Sequence, residues 1–382
     1  MVNEIAPSIS VPNLIREVDI QLKNVHTQSL DISFNELADM VETRELDISP
    51  DYQRLFQWSE GARSRFIESL LLEMPVPPIY VVEEDEGKKL LIDGLQRLSS
   101  YLHFRGMLDA PHLKPAVKKG DMLVLQDCDI VAALNGKTFN DLGGALQIKL
   151  KRSFVRVEVV RKGSNPKFKY HMFKRLNTGG EALTYQQLRN CTIRLLNPDF
   201  NNFIIELAQT NDDYKTCISA ISDEAKLGAY DQELVLRFFA LKNARDNFKH
   251  DVADFLTEYM EQVSDPEESR HFDFNEEKRV FDQTFKVLNA ALGENAFSRT
   301  ARGNLVRGFG IYHFEAFTLG IQPLLEKIDV ETDEEKAKIH DAIMEIKSNS
   351  DFIELTTGGG KNSPGQLSRR IDFVTSSLSK VY

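Results

Sequence analysis

Apolar residues in the first half of the chain follow the periodicities of both strands and helices. Residues 79–84 and 88–94 predict two strands joined by an acidic turn, and residues 95–106 predict a helix that Gly106 closes. Residues 154–161 (FVRVEVVR) alternate strictly and predict a third strand. Helical spacing also predicts two helices that precede these strands. They are residues 31–45 and residues 60–73, and Ser59 is the N-cap of the second.

The second half shows helical periodicity almost throughout. The helices that it predicts are 201–209, 230–248, 251–264, 276–292, 305–327 and 333–348. We therefore expect an α+β protein in which a small mixed α/β domain precedes an all-α domain. The predicted segments are an arm at 1–30, the mixed domain at 31–190, the helical domain at 191–350, and a Gly-rich loop with a last helix at 351–382.

The composition is that of an ordinary globular protein, with 42% apolar and 27% charged residues. No apolar run reaches the ~18 residues of a membrane helix, so we expect no membrane association. The first residues lack the basic and apolar regions of a signal peptide, which predicts a cytoplasmic protein. Three isolated cysteines, Cys128, Cys191 and Cys217, predict a reduced protein without a zinc site.

Charge is distributed unevenly along the chain. The formal net charge is −11, all of it from residues 191–382, whereas residues 151–190 carry a local charge of +8. This basic segment predicts a site for phosphates or DNA, although a solvated basic face would have the same composition. The candidate DNA-binding residues are Arg156, Arg161, Lys162, Lys167, Lys169 and Lys174.

The sequence LLIDGLQRLSSYL at 90–102 is the first motif with a chemical interpretation. A strand leads into an Asp93-Gly94 turn that opens directly into a helix, whose first N–H groups favour a bound anion. Gly94 would let a ligand approach, Arg97 could bind a phosphate, and Asp93 could hold a metal ion. The alternative is an ordinary turn in which Asp93 caps the helix and Arg97 is solvated.

Three further segments carry polar groups that could face a phosphate. In DYQRLFQW at 51–58, alternating aromatic residues would anchor the connector to the core while Gln53 and Arg54 face a cleft. Around Asn177, the pair Gly179-Gly180 could form an anion-binding nest or an ordinary helix C-cap. The Gly-rich loop containing Lys361 fails the P-loop pattern, and it is either a cover for a phosphate or a linker to the last helix.

Four motifs in this order resemble the N-terminal domain of GmrSD-type restriction endonucleases, a family with a ParB/sulfiredoxin-like fold. They are YQRLFQW at 52–58, IDGLQRL at 92–98, FKRLN at 173–177 with Gly180 and Leu183, and LRN at 188–190. The resemblance covers about residues 30–200, and the rest is similar to stand-alone members of the family. It implies binding and hydrolysis of a nucleoside triphosphate, coupled to recognition or cleavage of DNA in bacterial defence.

The resemblance also implies roles for individual residues. Asp93, Gly94, Gln96 and Arg97 would form the phosphate-binding turn, with Asp93, Gln96 and Arg97 catalytic and Asp93 binding a divalent metal, Mg²⁺. Gln53 and Arg54 would approach this turn from the connector, and Asn177 and Arg189 would line its opposite side. The possible nest at Gly179 and Gly180 and the loop residue Lys361 complete the candidate phosphate-binding residues.

The chain departs from the family pattern in two ways. The usual turn is D-G-Q-Q-R, and Leu95 replaces its first glutamine. Two-part members end in a His-Me-finger (HNH-like) nuclease domain with a His-x-x-Pro box, and no histidine in residues 191–382 has proline three positions later. Any cleavage of DNA would then come from the N-terminal domain or from a partner.

Two functions are compatible with these observations. The first is a nucleoside triphosphatase or metal-dependent DNA endonuclease of a defence system. The second is a non-catalytic nucleotide- or DNA-sensing subunit that recruits a partner nuclease through the acidic helical domain. The sequence leaves open the base of the nucleotide, the DNA that is recognised, the partner and the oligomeric state.

Overall fold

The structure is a computed structural model of the 382-residue chain. Contacts divide the chain into an N-terminal unit, Met1–Ala182, and a C-terminal unit, Leu183–Tyr382. The predicted boundary at 190/191 lies inside a helix of the C-terminal unit. The residues that the structure describes are 11–22, 25–48, 58–111, 113, 115–165, 168, 169, 172, 175, 184–194, 196–249, 251–266, 270–301 and 304–382.

The N-terminal unit is built on a mixed sheet. Its elements in chain order are α1 (Val11–Leu22), β1 (Thr27–Ser33), α2 (Phe34–Glu42), β2 (Leu46–Asp47), α3 (Glu60–Leu71), β3 (Ile79–Glu83), β4 (Lys89–Asp93), α4 (Leu95–Phe104), α5 (Gly143–Arg152) and β5 (Phe154–Val160). Among the described residues the sheet has five strands in the order β1-β5-β3-β4-β2. The β5–β3 and β4–β2 pairs are parallel, and the other two pairs are antiparallel.

The core of this unit lies between the sheet and the helices α2, α3 and α4. Alternation in β5 turns Val155, Val157 and Val159 inward, where they are buried. The helices bury apolar residues against the same face, among them Phe34 of α2 and Ile67 of α3. The strands predicted at 79–84, 88–94 and 154–161 are therefore confirmed, as is the helix capped by Ser59, whose side chain accepts from the Ala62 N–H.

One prediction in this region is correct only in part. The helix predicted over 31–45 is present as α2 over Phe34–Glu42, but residues 31–33 belong to the strand β1. β1 lies at the edge of the sheet, and its burial pattern is mostly exposed. Because only Leu30 and Ile32 alternate as apolar residues there, the strand signal in TQSLDIS is weak.

The C-terminal unit is mainly helical. Its elements are α6 (Tyr185–Ile193), α7 (Asp199–Thr210), α8 (Asp212–Cys217), α9 (Asp223–Leu227), α10 (Tyr230–Ala244), α11 (Val252–Ser264), α12 (Phe274–Leu292), β6 (Arg299–Ala301), β7 (Asn304–Val306), α13 (Ile311–Gly320), α14 (Asp333–Ser348), α15 (Ser350–Thr356) and α16 (Pro364–Leu378). Aromatic side chains fill its interior, and the rings of Phe281 and Phe285 lie 4.5 Å apart. The prediction of an all-α second half is not fully correct, because β6 and β7 pair as a short antiparallel hairpin.

Candidate functional site

The turn between β4 and α4 requires a glycine for two reasons. Gly94 has a φ of +108°, a region that side chains with a Cβ rarely adopt. A Cβ at this position would also lie 2.7 Å from Cγ1 of Ile79, inside van der Waals contact. We expected Gly94 to make room for a ligand, but its missing side chain faces Ile79 of the neighbouring strand. The glycine therefore sets the direction in which α4 leaves the sheet.

Arg97 and Asp93 form an ion pair across this turn. The Arg97 Nη2 atom lies 2.7 Å from Asp93 Oδ2 and also donates to the Pro78 carbonyl oxygen at 3.0 Å. The Arg97 side chain is only 13% exposed, whereas that of Asp93 is 38% exposed. Within the described residues, the buried Nε atom of Arg97 has no hydrogen-bond partner. Arg97 is thus a packed side chain with one donor still unused, and Asp93 keeps contact with solvent.

The first turn of α4 has the electrostatic character of an anion site. Its N-cap is Gly94, which contributes no side-chain cap. Backbone N–H groups at an uncapped helix start carry a partial positive charge and can bind phosphate oxygens. The guanidinium of Arg97 lies on this same turn and adds a full positive charge.

Gln96 connects this turn to the end of the preceding connector. Its Oε1 atom accepts a hydrogen bond from the Trp58 N–H at 3.1 Å, and the Trp58 ring packs edge-on against Phe66 at 5.9 Å. The Trp58 carbonyl in turn accepts from Arg63 Nε at 2.8 Å. The predicted catalytic role of Gln96 stays a prediction, but the structure gives its side chain a positioning contact.

A buried histidine completes this network. Nη1 of Arg63 lies 3.2 Å from Nδ1 of His103 on α4. Burial and, to a lesser extent, the neighbouring Arg63 charge lower the pKa of His103 to about 4. Because Arg63 can only donate, Nδ1 of a neutral His103 is the acceptor. Sequence reasoning missed this pair, since Arg63 and His103 lie 40 positions apart and neither belongs to a motif.

The remaining predicted site residues lie outside the described residues. They are Gln53, Arg54, Asn177, Gly179 and Gly180, together with Lys167 and Lys174 of the basic segment. Their roles remain predictions.

The described members of the basic segment have acidic neighbours. Arg156 makes two bonds to Asp31, at 2.7 and 3.1 Å, and Arg161 lies 3.3 Å from Glu83. Lys162 pairs with Asp85, while Lys169 donates to the Lys162 carbonyl at 3.2 Å. Three carboxylates therefore face these four cations. The sequence could not reveal this, because Asp31, Glu83 and Asp85 come from distant positions.

Arg189 belongs to the C-terminal unit and uses its donors there. Its side chain is 2% exposed and lies 3.1 Å from Glu233 Oε2. It also donates to Gln186 Oε1 at 2.8 Å, to Thr257 Oγ1 at 3.0 Å and to the Ala253 carbonyl at 3.0 Å. Through these contacts Arg189 links α6 to α10 and α11.

The Gly-rich loop is fastened to the last helix. Arg370 of α16 donates from Nη1 to the Lys361 carbonyl at 2.8 Å and pairs through Nη2 with the buried Glu315. Glu315 also pairs with Arg237 at 3.0 Å. Lys361 Nζ bonds the Glu354 carbonyl. A signal for this network was available in the sequence, because Glu315 is a lone acidic residue inside the apolar helix IYHFEAFTLG.

The described residues offer limited material for a metal site. Among them, no group of three or more His, Cys, Asp or Glu side chains could hold a metal ion. Mg²⁺ bound to a triphosphate needs only one or two protein carboxylates, with phosphates and water completing its ligands. Asp93 alone therefore fits a nucleotide-bound Mg²⁺ and does not fit a metal held by protein ligands only.

Two other sequence predictions concern the whole chain. Within the described part, the helices are all too short or too polar to cross a membrane. Cys128, Cys191 and Cys217 are buried.

The comparisons with known proteins concern mainly the N-terminal unit. The family model described as GmrSD restriction endonuclease, N-terminal domain, matches residues 36–194. This range contains the Asp93–Arg97 turn and α6, so the resemblance seen in the sequence motifs is confirmed for it. Neither a curated protein nor a solved structure matches the chain. The ParB/sulfiredoxin-like assignment therefore stays a prediction, within a fold that is mixed α/β.

Proposed function

We propose that this protein binds a nucleoside triphosphate at the Asp93–Arg97 turn and acts on or senses DNA in restriction or anti-phage defence. The match to the GmrSD restriction endonuclease N-terminal domain supports the restriction context. The observation that carries the nucleotide site is the Arg97–Asp93 ion pair at the uncapped start of α4.

In this proposal Arg97 exchanges one anionic partner for another. Without nucleotide it neutralises Asp93 at 2.7 Å. A triphosphate carries more negative charge than a carboxylate and accepts the guanidinium through two oxygens. Arg97 therefore turns toward the phosphates, where its unused Nε atom gains an acceptor.

The same exchange changes the state of Asp93. Once Arg97 no longer pairs with it, the partly exposed carboxylate is available to a cation. Asp93 would then hold Mg²⁺, which when bound supplies charge neutralisation of the phosphates. Gln96 keeps its contact with Trp58, so the turn stays attached to the connector during the exchange.

Leu95 favours a second candidate function, a sensor with little turnover. It packs against the hydrophobic core as a partly buried side chain. The family pattern has a glutamine at this position, whose amide could orient water or phosphate. In this chain the position has an apolar side chain that cannot orient water or phosphate. The turn would still bind a nucleotide, but hydrolysis would depend on Asp93 and Gln96 alone.

DNA binding in this proposal uses the basic segment around β5. Arg156 pairs with Asp31 and Lys162 pairs with Asp85, and both pairs are exposed and therefore weak. DNA phosphates can replace Asp31 and Asp85 at a modest cost. A partner nuclease, if one is used, would bind the C-terminal unit, where the negative charge of the chain lies.

The test measures binding and turnover separately. Calorimetric titration with non-hydrolysable analogues of each nucleoside triphosphate, with and without Mg²⁺, measures binding. Phosphate release, with and without DNA, measures turnover. Arg97→Ala should weaken binding roughly ten- to a hundredfold. Arg279→Ala, which removes an exposed helical ion pair with Glu276, should leave binding unchanged. If no triphosphate binds the wild-type protein, the proposal is wrong; binding without turnover selects the sensor.

A further inference from the structure

Two apolar surfaces of the N-terminal unit lack an apolar partner within the described residues. The first is one face of α1, where Leu14, Ile15 and Val18 are each more than half exposed. Their spacing places all three side chains on the same side of the helix. An isolated helix of 12 residues is marginal in water, so α1 needs packing on this face to be stable.

The second surface is a groove of about 750 Å³ between the end of α3, α5 and the start of β5. Met74, Val76, Ile148 and Phe154 line it. Phe154 is 68% exposed, and Ile148 and Met74 are also exposed. A monomer rarely leaves such a concave apolar surface open unless something binds there.

We propose that α1 of one chain docks into this groove on a second copy of the chain, and that the exchange is reciprocal. Helix-in-groove binding uses apolar anchors at positions i, i+3, i+4 and i+7, and Leu14, Ile15 and Val18 of α1 have the spacing of the last three. Two copies that exchange the same helix form a closed two-fold dimer, so neither apolar surface remains exposed.

The charges of the two surfaces are complementary. The α1 sequence carries Arg16 with two acidic residues, for a net charge of −1. The groove is rimmed by Lys149, Arg152 and Arg156 against Asp31 and Glu73, for a net charge of +1. Lys149 and Arg156 pair with those carboxylates, whereas no ion pair with Arg152 occurs among the described residues. Arg152 is therefore the cation that an acidic helix would meet.

Chain length favours a second copy over docking within one chain. His26 is fixed beside β5, because its carbonyl accepts from the Arg161 N–H at 2.8 Å. From there β1 runs ~24 Å to the level of Phe154. The three residues between Leu22 and His26 span at most ~14 Å, and Val18 lies ~6 Å further along the helix. Docking of α1 in its own groove would need a fully stretched segment, whereas docking in another copy has no such restraint.

The oligomeric state of the full-length chain tests this proposal. Sedimentation over a wide concentration range should show a dimer that dissociates on dilution. Ile15→Asp on the helix and Ile148→Asp in the groove should each weaken the dimer at least tenfold without lowering the melting temperature of the monomer, because both side chains are exposed.

Two matched controls should leave the dimer intact. Asn13→Asp lies on the opposite face of α1, and Ile130→Asp replaces an exposed apolar residue that does not line the groove. A monomer at every concentration, or a dimer that survives both groove and helix variants, would overturn the proposal.

Cysteine cross-linking separates the two arrangements, since the native cysteines are buried. A mixture of the Ile15→Cys and Ile148→Cys proteins should form a disulfide-linked heterodimer on oxidation. A disulfide formed only within the chain of the double variant at high dilution would assign the groove to the same chain and overturn the exchange. Co-sedimentation of a monomeric wild type with phosphatidylglycerol vesicles, lost in Ile15→Asp, would assign α1 to a lipid surface and also overturn it.

Discussion

The guanidinium of Arg97 holds the carboxylate of Asp93 across the start of α4, with 2.7 Å between Nη2 and Oδ2. Two of the three residues that the family resemblance makes catalytic therefore neutralise each other in this structure. A phosphate group must compete with Asp93 for Arg97. Because of this competition, substitution of Arg97 and substitution of Asp93 should have opposite effects on triphosphate binding.

Replacing Arg97 with alanine should weaken triphosphate binding by roughly ten- to a hundredfold, which corresponds to ~1.5–3 kcal/mol for a charge-assisted bond. Because Arg97 is mostly buried and also bonds the Pro78 carbonyl, we expect a loss of folding stability of about 1 kcal/mol as well. Calorimetric titration and thermal melting measure the two effects. Arg97→Lys should keep the stability better than the affinity, and an unchanged affinity in both variants would exclude Arg97 from the site.

Replacing Asp93 with asparagine should leave triphosphate binding intact or strengthen it, because the competing carboxylate is gone while Arg97 remains. Hydrolysis should fall strongly, since an amide is a poor ligand for Mg²⁺. Phosphate release and calorimetric titration on the same preparation separate the two effects. Weaker nucleotide binding in Asp93→Asn would contradict the exchange of Arg97 between the two anions.

The site could be predicted from the sequence only as far as local patterns reach. The strand–turn–helix around Asp93 and Gly94 was predicted correctly, because alternation, glycine and helical spacing all lie within the 16 residues Lys89–Phe104. The contact of Gly94 with Ile79 could not be predicted, since it depends on how β3 and β4 pair. The acidic partners of Arg156, Arg161 and Lys162 were missed for the same reason, because these carboxylates come from other strands and turns.

Measurements of folding stability test whether Gly94 is required at the start of α4. Gly94→Ala should destabilise the N-terminal unit by about 2 kcal/mol or more, because it combines a positive φ with a contact of 2.7 Å to Ile79. Ile79→Ala removes the nearest contact atom but leaves the backbone strain. The double variant should therefore lose less stability than the sum of the single variants in a chemical denaturation cycle. Additive losses would show that the side chain of Ile79 does not restrict this position.

Acid should destabilise the attachment of the connector to α4. The folded pKa of His103 is lowered to about 4, below the ordinary value of 6.5. The unfolded chain binds this proton first, so the stability that the neutral ring provides is complete above pH 6.5 and is lost as the pH falls toward 4. The loss can reach about 3 kcal/mol. His103→Gln offers Arg63 an acceptor that does not titrate, and its stability should depend less on pH in this window. Equal pH profiles for the two proteins would show that His103 does not titrate there.

DNA binding, if it uses the basic segment, should be limited by the carboxylates beside it. Asp31 pairs with Arg156 and Asp85 pairs with Lys162, and all four groups are exposed. Asp31→Asn and Asp85→Asn remove the competitors and should each strengthen binding to duplex DNA severalfold. Arg156→Ala and Lys162→Ala should weaken binding to all sequences alike, and together they should reduce the slope of log affinity against log salt by about 1.8, since each phosphate contact contributes ~0.9.

A charge-matched control distinguishes a local site from the overall field. Glu276→Gln removes one negative charge from an exposed ion pair in the C-terminal unit, where Arg279 is its partner. It changes the net charge of the protein by the same amount as Asp85→Asn. If the basic segment contacts DNA, Asp85→Asn should strengthen binding clearly more than Glu276→Gln at equal ionic strength, because Asp85 competes directly for Lys162, whereas Glu276 acts only through a field that salt screens. Equal effects of the two variants would mean that only the total charge matters and that the segment around β5 is a solvated face.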